Sequence, residues 1–207
     1  MERELKSLQK GLKADTIFLC VICIIFAAVF LLKVWNIVNY SMKSDSAFEV
    51  RLLEEDASSG IKEYWLYVDG EEVCPVDYNK FFRLDYNGNT DYKYNAIIGE
   101  VKSMLSCLII EIIFVLLYQI MAIVKRGKSP FVMKAVMILR VMAVMSILLA
   151  VLPPMVEMVV SLTHFTSVTA WSSAINFYVL AVGVGFGILS EIFKYGCMLQ
   201  SDMDQIA

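Results

Sequence analysis

The side chains of this 207-residue chain that could do chemistry are few and far apart. Cys20-x-x-Cys23 has the spacing of a redox pair, but it falls within an uncharged apolar run, where thiols serve as small packing residues. His164 is the one histidine, with no Cys or second His beside it, so no metal site is expected. Gly127-Lys128-Ser129 looks like the end of a phosphate-binding loop. The leading glycine of that motif would stand at Ala122, and no strand precedes it, so nucleotide binding is rejected. No Ser or Cys has a His or Lys beside it in a nucleophile–base pattern. The expectation is a protein that is not an enzyme and carries no cofactor.

Of the charges that fall within apolar runs, Glu111, Arg140 and Glu191 are the candidates for a buried cluster. A lone charge in hydrocarbon costs about 2.5–3.5 kcal/mol on insertion, so these side chains are expected to face the bundle interior and pair as one cluster. Counted from the cytoplasmic helix ends at 1.5 Å per residue, Glu111 lies at roughly 20 Å and Arg140 at roughly 13 Å, within reach of a long side chain. Such a cluster can serve as an ionic clamp that fixes helix register, or as a proton or ion relay through Glu111.

Four apolar runs must position these groups, at about Thr16–Val38, Ile97–Val124, Phe131–Met158 and Val168–Tyr195. Each has at least the roughly 20 residues that cross a 30 Å hydrocarbon layer. Thr16–Leu32 and Phe165–Ser190 contain no charged side chain, whereas a soluble bundle shows a polar stripe on every helix. The predicted class is therefore a membrane all-α protein: a four-transmembrane-helix bundle with a small extracytoplasmic antiparallel β module between helices 1 and 2. The expected divisions are a cytoplasmic amphipathic segment 1–14, spans 15–38, 97–124, 131–158 and 168–195, the β module 39–96, a basic loop 125–130, an outer loop 159–167 and a tail 196–207. The lipid bilayer is the first partner.

Charge sets the orientation. Between Asn39 and Ala96 there are twelve Asp/Glu against six Lys/Arg, while Lys125, Arg126, Lys128 and Lys134 cluster without an acid. By the positive-inside rule the cluster is cytoplasmic, as is the N-terminus with Arg3, Lys6, Lys10 and Lys13. Pro153–Ala170 carries no Lys or Arg and belongs outside. Both termini are then cytoplasmic in a bacterial cell membrane. The first run continues through Phe30–Leu32 past Ala27-Ala28, which argues against a cleaved signal peptide.

In the outer segment the period changes. Phe48, Val50 and Leu52 alternate with Glu49 and Arg51, as in a half-buried strand. Tyr64–Val68, Asp69-Gly70 and Glu71–Val73 read as a two-residue type I′ hairpin. Phe81–Tyr86, Asn87-Gly88 and Thr90–Tyr94 repeat the arrangement, so three to five strands are expected. Cys74 is the one cysteine there and has no disulfide partner within the module. Trp65, Tyr67, Phe81 and Tyr86 are candidates for a recognition surface, or else members of a core and interfacial belt. Pro153-Pro154 is expected to end or kink the third span. In the fourth, Gly183-x-x-x-Gly187 and Ala181-x-x-x-Gly185 allow close backbone approach, either to a neighbouring span or to a second copy in a homo-oligomer.

Pro130-Phe131 opening a span, Leu139-Arg140 nine residues later, and the ending Glu191-Ile192-Phe193 … Gly196 … Leu199-Gln200 … Asp204-Gln205-Ile206 resemble the bacterial membrane proteins grouped as the domain of unknown function 2975 family. The resemblance covers about Val124–Ala207, and loosely the four-span topology. It implies a protein without established catalytic activity, whose genes often neighbour that of a small helix-turn-helix regulator. Arg140, Glu191, Phe193, Gly196 and Asp204 match its motifs. With Lys125, Arg126 and Lys128 in the basic loop, Phe193, Gly196 and Asp204 form the expected cytoplasmic docking surface for such a DNA-binding partner. The chain itself is not expected to touch nucleic acid. The function expected is a membrane sensor or tether, with a small ion-coupled transporter using Glu111, or a structural subunit of a membrane complex, as the alternatives.

Overall fold

The computed structural model describes residues 2–55, 62–125, 131–167 and 175–206. In chain order these form α1 (Glu2–Met42), a 3-10 turn (Asp45–Ala47), β1 (Phe48–Glu55), β2 (Lys62–Val68), β3 (Glu71–Val76), α2 (Tyr78–Phe81), α3 (Tyr92–Lys125), α4 (Met133–Leu162) and α5 (Phe177–Ile206). Stretches of α1, α3, α4 and α5 are long and apolar enough to cross a membrane. On α1, Ile17, Phe18, Ile24, Leu31, Leu32 and Trp35 are each at least 60% exposed, a surface that water would penalise and hydrocarbon would not.

The chain divides into two compact units. The sheet-bearing unit comprises Leu31–Met104 and Pro154–Ala174. Its sheet has the order β1-β2-β3, antiparallel throughout. Asp69 (φ 55°) and Gly70 (φ 81°) make the β2–β3 turn, both in the left-handed region that a type I′ turn demands. Leu66 and Val68 point inward with Phe48 onto Tyr40 of α1 and Ala96 of α3, forming one apolar core. Trp65 and Tyr67 alternate with them and are half-buried.

The second expected hairpin is corrected. Three strands form among the described residues, and Phe81–Tyr94 supplies none of them. Asp77 accepts a hydrogen bond from Asn79 N and starts α2, while Asp91 accepts one from Tyr94 N and starts α3. Between them Leu84 and Thr90 share a single bridge, and the Asp85 carboxylate accepts from Asn87 N and Asn89 N around Gly88 (φ 83°). Two helix caps thus override the aromatic alternation.

The helical unit comprises Met1–Phe30, Leu105–Pro153 and Ile175–Ala207. Ile138, Leu139 and Met142 of α4 are buried against Ile113, Leu116, Leu117 and Ile120 of α3 and Phe186 and Phe193 of α5. Phe26 of α1 meets Phe114 of α3 at 5.4 Å. Several helix boundaries differ from expectation. The segment 2–14 continues into the first span as one 41-residue helix. Pro153-Pro154 does not end α4, which runs on to Leu162, although the two units divide between these prolines. In an apolar helix, adjacent packing and local adjustment accommodate the hydrogen bonds that Pro removes. Asn176 accepts from Tyr178 N and Val179 N and starts the fourth long helix there, and residues 196–206 are helical rather than a separate tail. Residues 168–174, where that span was expected to begin, lie outside the described residues.

Candidate functional site

Glu111, Arg140 and Glu191 are not brought together. Arg140 Nη2 donates to Glu191 Oε1 at 2.6 Å, with Lys194 Nζ 3.8 Å from Glu191 Oε2. Both members of the close pair are at least half exposed rather than turned inward. Their positions on α4 and α5 direct them away from the apolar seam of Leu139, Met142, Phe186 and Phe193, since helical period fixes which residues share a face. Glu111 pairs with neither among the described residues, and its buried Oε2 makes no hydrogen bond.

The small-residue stripe of α5 also divides. A Cβ at Gly183 would lie 3.1 Å from the Ala143 carbonyl oxygen and 3.2 Å from Ser146 Cβ, so this glycine permits the close approach to α4. Gly185 and Gly187 have nothing within 4 Å of such an atom, and Ala181 is exposed. Of the docking residues, Phe193 packs in the helical core and against Phe131 at 5.4 Å. Gly196 lies under that Phe131 ring, which leaves no room for a Cβ. Lys125 is exposed, and Asp204 lies within α5. Arg126 and Lys128 lie outside the described residues.

The four aromatic candidates do not form one surface. Phe81 packs on the sheet core, Tyr67 lies beneath the Arg51 guanidinium at 4.8 Å, and exposed Tyr86 donates to the Leu162 carbonyl. The Trp65 indole nitrogen is buried without a hydrogen-bond partner. A different set of rings, Tyr64, Tyr78, Phe82 and Tyr92, makes a chain of contacts at centroid distances of 4.4–5.6 Å. Cys20 and Cys23 are free thiols facing an apolar groove with Val115 and Tyr118. His164 turns to Asp91 Oδ2 at 2.9 Å and stacks on Tyr94.

The site that sequence reading missed lies within the sheet-bearing unit. A cavity of about 470 Å³ is lined by four cations, Lys33, Lys80, Arg83 and Lys102, and by three carboxylates, Asp77, Glu100 and Glu157. Glu157, largely buried, binds Lys80 Nζ at 2.8 Å through one oxygen and Lys102 Nζ at 2.6 Å through the other. Lys33 Nζ lies 3.0 Å from Glu100. Asp77 is committed to capping α2.

Arg83 is held differently. It is 6% exposed. Its Nε donates to the Lys80 carbonyl at 2.9 Å, and its Nη2 to Asn95 Oδ1 at 2.6 Å. Asn95 Nδ2 in turn donates to the Asp91 carbonyl, which fixes the amide with its oxygen towards the guanidinium. The Phe165 ring covers the guanidinium at 4.7 Å. Nη1 is buried and has no hydrogen-bond partner. Burial pulls the Arg83 pKa down while the more distant Glu157 and Asp77 oppose it, yet guanidinium stays protonated in proteins. Cys74 also lines the cavity, its thiol pushed up by burial and then by Glu100.

A signal for this site did exist in the sequence. Lys33, Glu100, Lys102 and Glu157 all stand near the ends of apolar runs, where charge has to find a partner or water. Among the described residues no group of His, Cys, Asp and Glu could hold a metal ion. Compared with family models, with curated proteins and with solved structures, the chain matches none.

Proposed function

We propose that this chain is a non-enzymatic multi-pass protein of the bacterial cell membrane that senses a small molecule and regulates a cytoplasmic partner. The sheet-bearing unit is the outward-facing receiver, and its charged cavity takes the ligand. The observation that carries this reading is the cavity itself: about 470 Å³, with seven charged side chains drawn from four separate stretches of the chain. No nucleophile is poised beside a base there, so the chemistry on offer is recognition rather than turnover. Each of α1, α3 and α4 contributes residues to both units, which gives a ligand-induced shift continuous helices to act through. The partner suggested by the family resemblance is a small helix-turn-helix regulator, met by the basic loop around Lys125 and by the end of α5.

The test is regulatory. Deleting the gene should change transcription of a defined set of neighbouring genes, and a chain carrying Glu157→Gln should fail to restore it while still reaching the membrane. Unchanged transcription in the deletion strain would end the sensor reading. A second reading rests on Glu111, whose buried Oε2 makes no hydrogen bond. A carboxylate so placed in an apolar helix is the usual seat of proton-coupled movement. In proteoliposomes it predicts an ion flux that Glu111→Gln abolishes, and absence of flux in the parent chain removes it.

A further inference from the structure

Counting charge around the cavity gives four cations less three carboxylates, a surplus of one positive charge. The ion pairs locate that surplus. Lys80 and Lys102 share Glu157, and Lys33 has Glu100. Arg83 has no carboxylate within ion-pairing distance among the described residues, and its two protein hydrogen bonds both go to neutral oxygens. A buried cation without a counter-charge is costly, and a buried donor without an acceptor adds to that cost. The guanidinium is meanwhile immobilised by Asn95, the Lys80 carbonyl and the Phe165 ring, so it cannot swing into water to relieve either. A planar fork held rigid with one arm unused is the geometry that binds an oxyanion.

We infer that the cavity of the sheet-bearing unit is an oxyanion site in which Arg83 anchors a monoanionic carboxylate or phosphate group, with the Lys80–Glu157–Lys102 bridge beside it. The inference rests on the cavity being the receiver proposed above and names what it receives. The body attached to the anion packs against the apolar part of the lining, which includes Leu66, Pro75 and Ile98. A free anion and the headgroup of an anionic lipid share this chemistry.

Thermal unfolding of the full-length chain separates the cases. In detergent at matched ionic strength, inorganic phosphate, acetate and hexanoate are titrated against chloride. In parallel, nanodiscs of phosphatidylglycerol are compared with nanodiscs of phosphatidylcholine. A saturable rise in midpoint with a free anion identifies a soluble ligand, and a rise confined to phosphatidylglycerol identifies a lipid. Arg83→Gln should remove the rise. Asn95→Asp, which puts a carboxylate against Nη2, should weaken the apparent affinity about tenfold or more, the scale of a charge-assisted hydrogen bond. If Arg83→Gln fails to fold, Asn95→Asp decides. Asp85→Asn, outside the cavity, should leave the rise intact. The inference is overturned if no oxyanion or lipid shifts the parent chain, or if the shift survives Asn95→Asp unchanged. A shift that responds to these variants without any transcriptional change on deletion would keep the anion site and sink the sensor reading.

Discussion

The two units handle charge in opposite ways. In the sheet-bearing unit, Glu157 and Glu100 have side chains 12% and 14% exposed; Glu157 holds two lysines and Glu100 one. In the helical unit the Arg140–Glu191 pair is 50% and 61% exposed, and the interior is Leu139, Met142, Phe186 and their neighbours. The contrast shows where each unit gets its specificity. The sheet-bearing unit adds buried ion pairs to its apolar core, whereas the helical unit relies on apolar shape.

Breaking the polar side should therefore cost most. Glu157→Ala leaves two lysines facing each other beside a cavity, and its unfolding free energy should fall by about 3 kcal/mol, towards the lower bound for a broken buried pair because both ammonium groups are partly exposed. Chemical denaturation in detergent measures it. A loss under about 1 kcal/mol would mean that the bridge is ornamental.

Next comes shape. Gly183→Ala forces a methyl against the Ala143 carbonyl and should destabilise by about 1–3 kcal/mol, while Gly187→Ala should change almost nothing in the isolated chain. If instead Gly187→Ala dissociates an oligomer seen by light scattering, that open face of α5 packs on a second copy. Smaller still, Arg140→Gln in detergent should cost about 0–1 kcal/mol, as for other exposed pairs. A loss as large as that of Glu157→Ala would erase the contrast.

The smallest effect is one of pH. Hydrogen bonds from Asn89 N and then Asn87 N, partly opposed by desolvation, hold the Asp85 carboxyl below the usual carboxylate range. Since the folded pKa lies below the unfolded one, this contribution is present above the unfolded value near 3.8 and disappears as pH falls through the folded one. Asp85→Asn should flatten that part of the acid limb in a series of unfolding midpoints. A limb of unchanged slope would show that the turn does not depend on the charge.

Much of the fold was legible because it obeys local rules. Uncharged runs such as Thr16–Leu32 announce long apolar helices, and Asp69-Gly70 announces its turn through the positive φ values that Asp-Gly tolerates well. The second hairpin was misread because Tyr92 and Tyr94 alternate like a strand, while the decisive residue is Asp91, whose carboxylate caps α3. The site was nearly illegible for a different reason. Lys80 and Glu157 are 77 residues apart, Lys33 and Glu100 are 67 apart, and no periodicity links them. The charges within the apolar helices stand out in sequence instead, and the structure joins two of the three on an exposed face.

The account depends most on the sheet-bearing unit lying outside the cell while the loop near Lys125 lies inside. Single cysteines at Asn89 and Lys125, each in a cysteine-free background, can be labelled on intact cells with a membrane-impermeant maleimide. The account predicts labelling at position 89 and none at 125 until the membrane is permeabilised. Labelling at 125 in intact cells, with 89 protected, would contradict it.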